Sequence, residues 1–420
     1  MIDLKLVRDN PEALREALTR RGTPANLDGL LKLEQERREL IASIEQHRQT
    51  LKQGSEAFAK QKAKAATAAA PASLKQLSDE VAQQERQLRD VEAKMEHELA
   101  LVPNIPHSSV PVGDANANQV VRMAGSKPAF SFTPKDHVAL GTQRGLMDFE
   151  RAAKVSGSHF PLFTGVGARL ERALINWMLD VHTKEHGYTE ISPPVLVNRP
   201  SMFATGQLPK FEEDMYRLKD DDLFLIPTAE VPVTNLHREE ILEEAQLPLK
   251  YTACTPCFRR EAGSYGKETR GLVRVHQFDK VELVKFTTPE TSYDELERLV
   301  ADAETILQRL GLHYRVVALA TGDLSFAAAK CYDLEAWAPG LNQFLEVSSC
   351  STFETFQARR ANIRYRQAAT KKTAYVHTLN GSGVALARTL ICLLETHQQA
   401  DGRIRIPDTL RPYLDGQTLL

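Results

Sequence analysis

Along the first hundred residues, apolar side chains recur at alternating spacings of three and four: Leu30, Leu33, Leu40, Ile44, Leu51 and Phe58. That is the seam of a long helix lying against a partner, with Arg37, His47 and Gly54 filling its weaker positions. A second seam runs through Leu74, Leu77, Val81, Leu88, Val91, Met95 and Val102, and KAKAATAAAP, ending at Pro71, separates the two. Two long helices joined by a short link pack antiparallel. At about 1.5 Å rise per residue, helices of about 30 to 37 residues reach on the order of 45 to 55 Å, so the hairpin is expected to project. It reads either as a dimerisation or spacer coiled coil or as an arm for a large partner. Its mixed charges turn basic at the tip, at Lys60, Lys62 and Lys64. A short helix is expected ahead of it, with Asn10 as the N-cap candidate and Pro11 at the first helical position.

The helical pattern stops at LVPNIPHSSVPVGDANANQ, where Pro103, Pro106, Pro111 and Gly113 mark a linker. The chain divides accordingly into an arm over 1–103, a linker over 104–127 and a second domain over 128–420. In the second domain, helical stretches such as ALINWMLDVHTKEHG and ETSYDELERLVADAETILQRLG alternate with strand-like runs such as YTEISPPVLV, LVRVHQFDKVELVKF and HYRVVALAT. The strand runs alternate in polarity instead of forming solid apolar blocks, which predicts an α+β domain on an antiparallel sheet.

Composition narrows the picture modestly. The 420 residues suit two or three domains at roughly 150 residues each. With 53 Lys plus Arg against 55 Asp plus Glu, the formal charge of -2 excludes a uniformly basic protein. No run approaches the roughly 18 apolar residues of a membrane span, and the start MIDLKLVRDN lacks a signal-peptide pattern, so a cytoplasmic protein is expected. Five cysteines are too few for a disulfide framework. The lone C-x-x-C, Cys254 and Cys257, reads as small buried side chains on a strand rather than as half of a zinc or redox site.

Four stretches carry residues suited to chemistry. In CFRREAGSYGKETRGLVRVHQFDKVELVKF, residues 257–286, two strand-like halves flank a polar loop. Period-two alternation puts Arg274, Phe278 and Glu282 on one face of the second half, and Arg259 with Glu261 on one face of the first. Cations, an aromatic plate and carboxylates together suit phosphate, a planar base and an amine; a solvated face laced with ion pairs is the plainer alternative. In LNGSGVALARTLICLLE, residues 379–395, Arg388 sits in a helix apolar almost all round and needs an anion, structural or phosphate. The GSG ahead of that helix is a weak phosphate signal. IPTAEVPVTNL places Thr228 and Glu230 in a Pro-bounded turn that could hold an ammonium group or be a plain surface turn. FLEVSSC offers Glu346 and Ser349 as oxygen ligands for a hard cation. From Thr355 to Leu394 there is no acid, while Arg359, Arg360, Arg364, Arg366, Lys371, Lys372 and Arg388 give a formal +7. With Tyr365 and Tyr375 interleaved, that tract suits polyphosphate or nucleic-acid backbone, or a basic surface neutralised by neighbouring acidic helices.

These stretches together resemble the bacterial-type seryl-tRNA synthetases, along essentially the whole chain. FRREAGSYGKETRGLVRVHQFDKVEL resembles class II motif 2, LNGSGVALARTL resembles motif 3, and HGYTEISPPVLV places Pro194 where motif 1 has its proline. TGQLPKF at 205–211 and the triplet Thr228, Ala229 and Glu230 strengthen the likeness, and the hairpin resembles the family's tRNA-binding arm. The resemblance implies a homodimer formed through motif 1 and a class II catalytic domain that activates L-serine with ATP and charges tRNA(Ser), and by extension tRNA(Sec). It implies that Arg259 bridges the ATP α-phosphate and the serine carboxylate, with Arg260 and Glu261 beside the nucleotide, Val275 at the adenine edge, Phe278 stacked on the ring and Arg388 toward the γ-phosphate. Glu346, Val347, Ser348 and Ser349 would line the ATP site, with Glu346 and Ser349 holding Mg2+. Thr228, Ala229 and Glu230 would hold the serine amino group, Glu282 would accept its hydroxyl, and Ser382 would line the pocket. Lys267 and Arg270 would stand near the tRNA acceptor end.

Two rival readings follow from the same resemblance. A synthetase-like paralogue that loads an amino acid onto a carrier protein would not need the long arm, and a noncatalytic class II-like regulator would be expected to lose Arg259, Glu261, Glu346 and Arg388 first.

Overall fold

The computed structural model describes residues 1–23, 25–62, 72–261 and 270–420, and the chain separates into two compact units. The first comprises Met1–Thr19 and Thr23–Pro103. It opens with α1 (Leu4–Asp9) and α2 (Pro11–Arg20). Asn10 both closes α1 and caps α2, its side-chain oxygen accepting from the Ala13 amide at 3.3 Å. The two long helices follow as α3 (Leu27–Lys62) and α4 (Ala72–Ala100). They run antiparallel, as Arg37 to Glu92 at 2.9 Å and Arg48 to Glu85 at 2.7 Å demonstrate. Each non-apolar seam position has a reason: Arg37 has Glu92, His47 lies 3.1 Å from Gln84, and Gly54 makes room for Leu74, whose Cδ2 would stand 2.5 Å from an added Cβ. The expected link between the helices, Lys64 included, lies outside the described residues.

The second unit comprises Arg20–Gly22 and Asn104–Leu420. In chain order its elements are β1 (Gln119–Ala124), α5 (His137–Gln143), α6 (Phe149–Ser156), α7 (Val166–Lys184), β2 (Thr189–Glu190), β3 (Leu196–Asn198), α8 (Arg199–Thr205), β4 (Leu223–Leu225) and α9 (Glu230–Thr234). Then come β5 (Ile241–Glu243), β6 (Leu249–Phe258), β7 (Gln277–Thr287), α10 (Ser292–Arg309), β8 (Tyr314–Ala318), β9 (Lys330–Ala338) and β10 (Gln343–Glu354). The last are α11 (Phe356–Ala361), β11 (Arg364–Arg366), β12 (Thr373–Tyr375), β13 (His377–Ala385) and α12 (Leu386–His397). Eight strands form one sheet in the order β1-β8-β9-β10-β13-β7-β6-β2, antiparallel everywhere except where β2 runs parallel to β6. Helices α7, α10 and α12 lay apolar faces on it, burying Leu174, Trp177, Leu299, Ile306, Leu390 and Ile391 with Val281 and Leu283 of the sheet.

Four expectations change. The stretch read as linker contains β1, a mostly exposed edge strand whose Val120, Val121 and Met123 favour extended backbone and which pairs with β8. YTEISPPVLV breaks into β2 and β3, since consecutive prolines remove ladder donors. The run starting at Leu272 becomes strand only from Gln277, so Arg274 stands in the preceding turn. Gly381, Ser382 and Gly383 lie inside β13, not in a loop before α12: Gly381 pairs with Leu283 and Cys350, and Ser382 with Glu282, so this GSG is no free-amide phosphate loop. The cysteine reading agrees with the structure: Cys257 is buried on β6, Cys254 partly so, and both are free thiols that burial pushes upward in pKa.

Candidate active site

Strands β6, β7, β13 and β10 lie side by side at the centre of the sheet and form the floor of a cavity of about 640 Å³. Twelve of the site residues that the resemblance implies open on it: Thr228, Glu230, Arg259, Glu261, Val275, Phe278, Glu346, Val347, Ser348, Ser349, Ser382 and Arg388. Arg274 joins them, and from the TGQLPKF stretch so do Thr205, Gly206, Gln207 and Phe211.

One end is a ring of arginines and an aromatic plate. The guanidinium of Arg259 lies 5.2 Å from the ring centre of Phe278, in cation-π range, and its Nε donates to the Pro227 carbonyl at 3.4 Å. Arg274 pairs with Glu261. Arg388 has the anion its helix requires: it donates to the carbonyl of Glu346 at 3.0 Å and its carboxylate at 3.2 Å, and to the Val273 carbonyl at 3.2 Å. Glu346 and Ser349 are three apart, which a regular strand would send to opposite faces; the register of β10 against β9 slips between Glu346 and Ser348, and both residues reach the cavity.

The other end holds two carboxylates. Glu230, at the start of α9, is 7% exposed, a buried acid instead of a surface turn residue. Gln357 donates to its Oε1 at 2.6 Å and Asn380 to its Oε2 at 3.0 Å. Burial first, and the neighbouring Glu282 second, push its pKa up to about 7. Glu282 sits just beneath the cavity, accepting from Thr228 at 2.9 Å and Asn380 at 3.0 Å and pairing with Lys280 at 2.5 Å. Ser348 ties β10 to β13 by donating to the Ser382 carbonyl at 2.6 Å.

Ala229 and Arg260 do not open on the cavity: Ala229 is fully buried, and Arg260 is exposed, its amide donating to Asp214 at 3.2 Å. The acid-free tract does not form one phosphate-facing surface. Arg360 is buried and donates to the carbonyls of Phe203 and Leu208 at 3.1 and 3.0 Å, Arg359 stacks over Tyr375, and Arg366 lies 3.7 Å from Glu243. Lys267 lies outside the described residues, and Arg270 pairs with Asp136 at 3.1 Å.

Sequence reasoning passed over Lys280, Asn380, Gln357 and Arg21. Lys280 shares strand parity with Phe278 and Glu282, and Asn380 with Ser382, so alternation could have found both. Gln357 carries no such signal. Arg21 donates to the carbonyls of Asn104, Ala328 and Leu324 at 2.9, 3.1 and 3.3 Å and also to that of Ser325, fixing the loop whose Ser325, Phe326 and Ala327 line the cavity.

Among the described residues, no helix is long and apolar enough to cross a membrane. The family model for the seryl-tRNA synthetase N-terminal domain matches residues 1–106, and that for the tRNA synthetase class II core domain (G, H, P, S and T) matches residues 210–397. The chain is 53% identical over 423 residues to the serine–tRNA ligase of Desulfosudis oleivorans and 54% identical over 423 residues to that of Geobacillus thermodenitrificans, covering 100% of each chain in both cases. The crystal structure of seryl-tRNA synthetase from Pyrococcus horikoshii complexed with ATP superposes with a TM-score of 0.92 at 38% identity, covering 100% of this chain and 99% of that one. With these likenesses running end to end over a fold of this kind, the chain belongs to the serine–tRNA ligase family of class II synthetases.

Proposed function

We propose that the cavity activates L-serine with ATP and that the protein then charges tRNA(Ser), and tRNA(Sec) by the same chemistry. The observation that carries this is the pairing, in one cavity, of an arginine-rich, Phe-plated end with an end where buried Glu230 lines the wall and Glu282 lies just beneath it, the complement of a nucleotide polyphosphate beside a small hydroxyl-bearing amino acid. Arg259 is the residue for the α-phosphate and serine carboxylate, Phe278 for the adenine face, Val275 for its edge, with Glu261 supporting the nucleotide and Arg388 taking the γ-phosphate; Arg260, turned away from the cavity, has no such contact. Thr228 and Glu230 receive the ammonium group, Glu282 the hydroxyl, and Ser382 bounds the pocket, while Ala229, fully buried between Thr228 and Glu230, only spaces them. Residues 1–103 serve as the tRNA-binding arm, 104–127 as a connection that lends β1 to the sheet and 128–420 as the rest of the catalytic domain, in a homodimer.

The serine carboxylate attacks the α-phosphorus in line. Its oxygen gains a bond to phosphorus as the bond to the β-phosphate bridge breaks, and pyrophosphate leaves. A ribose hydroxyl at the tRNA 3′ end then attacks the seryl carbonyl and AMP departs. No side-chain nucleophile is needed; Arg259 and Arg388 position the reactants and offset charge developing on the phosphates. Glu346 and Ser349, both turned into the cavity by the β10 bulge, supply a carboxylate and a hydroxyl, hard oxygen donors that fit Mg2+. Bound there with the phosphates, the ion would neutralise their charge. Glu346 already contacts Arg388, so ion and arginine would share that carboxylate.

Amino-acid-dependent pyrophosphate exchange across a panel, followed by charging of total tRNA, tests the reading: serine is expected to give the highest exchange, and a better amino acid would overturn it. Glu282→Ala should cut kcat/KM for serine by about a hundredfold, the scale of removing a buried charged acceptor, with far less effect on ATP binding. Unchanged exchange with serine would remove Glu282 from this role. Sedimentation of the purified protein at twice the chain mass is expected for the homodimer.

A further inference from the structure

Lys280 has no part in the reactions above, yet it is 5% exposed and borders the cavity. A lysine buried to this degree requires partners. Its ammonium donates to the Thr228 hydroxyl at 2.9 Å and lies 2.5 Å from Glu282 Oε2, while that hydroxyl itself donates to the same carboxylate oxygen at 2.9 Å. The three groups close a triangle. It occupies one oxygen of Glu282 and leaves the other, Oε1, with a single contact from Asn380 at 3.0 Å. A carboxylate oxygen accepts two hydrogen bonds, so Oε1 retains capacity for one more donor.

The two buried acids are therefore unlike. Asn380 donates to both, at 3.0 Å each, so they face one another across a single amide. Glu282 has a cation in contact. Among the described residues Glu230 has the neutral donors Gln357 and Asn380, with Lys280 and Arg259 acting on it from farther away. Around this pair, α9 contributes Glu230, β6 the Cys257 thiol and Arg259 at its end, β7 Lys280 and Glu282, and β10 the Cys350 thiol; β13 and α11 contribute the uncharged Asn380 and Gln357. Burial keeps both thiols neutral, so among the described residues Lys280, paired with Glu282, is the one cation in direct contact with either acid.

Resting on the serine reading of this pocket, we infer that Lys280 is a positioning residue for substrate selection: it fixes Glu282 and Thr228 to read the substrate hydroxyl and leaves Glu230 to answer the substrate ammonium. Neighbouring carboxylates whose surroundings differ in this way divide their tasks. The cation also offsets the negative charge that would otherwise accumulate when both acids are ionised.

Serine-dependent pyrophosphate exchange by Lys280→Met and Lys280→Arg, followed from pH 6 to pH 9, tests the role. For Lys280→Met, KM for serine is expected to rise about tenfold or more while KM for ATP changes less than about twofold, the scale of losing a charge-assisted contact at one substrate only. The acid-side midpoint of kcat/KM for serine should move upward by about one pH unit, since Glu230 loses a nearby cation that holds its pKa down. Lys280→Arg keeps the charge but not the reach, so it should raise KM for serine without moving the midpoint. A midpoint unmoved in Lys280→Met, or ATP and serine constants rising together, would reduce Lys280 to scaffolding and overturn the inference. If Lys280→Met does not fold, the constants of Lys280→Arg decide: a rise confined to serine supports the role, and none or a joint rise overturns it. Exchange by the unaltered protein that does not depend on serine would instead bring down the pocket reading, and this role with it.

Discussion

Glu230 is the residue whose ordinary chemistry the fold alters to most purpose. Burial, reinforced by Glu282, carries its pKa up to about 7, while the amine it is proposed to bind needs the ionised form. The sign follows directly: above about pH 7 the free pocket presents a carboxylate, and as the pH falls through 7 a proton takes the place of the ammonium. The kcat/KM for serine should therefore fall roughly tenfold per unit on the acid side of a midpoint near 7, whereas KM for ATP stays flat. Exchange kinetics between pH 5.5 and 8.5 check this, and a serine profile flat down to pH 6 would contradict it. At this scale the sequence was legible wherever a side chain's type narrows its use: Phe278 and Glu282 by alternation, and Arg388 as a cation needing an anion, which proved to be Glu346. Glu230 read more readily as a surface turn residue, because its burial is produced by α8, α11 and β13, elements distant in sequence.

Among the elements, α5 joins parts of the site that lie far apart in the chain. His137, 1% exposed, accepts the Leu272 amide on Nε2 at 3.1 Å while Nδ1 lies 3.0 Å from Glu395, itself fully buried on α12. Glu395 also accepts the His137 amide at 2.9 Å and the amides of Gly340 and Leu341 at 2.8 and 3.1 Å. For Nε2 to accept, the ring must be neutral with its proton on Nδ1, and the carboxylate holds it there. Gly271 completes the contact: a Cβ there would come within 2.3 Å of His137 Nε2, and its φ of 66° favours glycine. Two residues on, the Val273 carbonyl receives Arg388, and Val275 borders the cavity. His137→Ala is thus expected to raise KM for ATP about tenfold, with KM for serine within about twofold, and to lower the melting temperature because Glu395 loses a partner in a dry site. Equal effects on both substrates would make the contact purely structural. Element types and the antiparallel sheet were readable from periodicity. The Glu346/Ser348 slip and the β1 edge were not, because a bulge breaks the period-two pattern and a single edge strand amid prolines gives a weak one.

For the whole molecule, the near-zero net charge of -2 concealed the features that matter, since the relevant cations are spent singly on partners inside the fold. Every residue bordering the cavity lies between Thr205 and Arg388, within the second compact unit. Activation should then be separable from tRNA charging, provided Arg21 is kept. The Arg21 guanidinium, with burial lowering its pKa to about 10, binds the carbonyls of the loop that carries Ser325, Phe326 and Ala327. Joining residue 27 to residue 101 is feasible at the root of the hairpin, where Asn26 reaches Glu98 at 3.5 Å. Replacing residues 28–100 with a short Gly-Ser link should leave serine-dependent pyrophosphate exchange within about threefold of the full chain and abolish charging of tRNA. Removing residues 1–103 outright takes Arg21 as well and should impair exchange too, by about tenfold, the scale of losing several buried hydrogen bonds to a cavity wall. Equal loss of exchange in both deletions would mean that residues 28–100 themselves, and not Arg21, are required to activate serine.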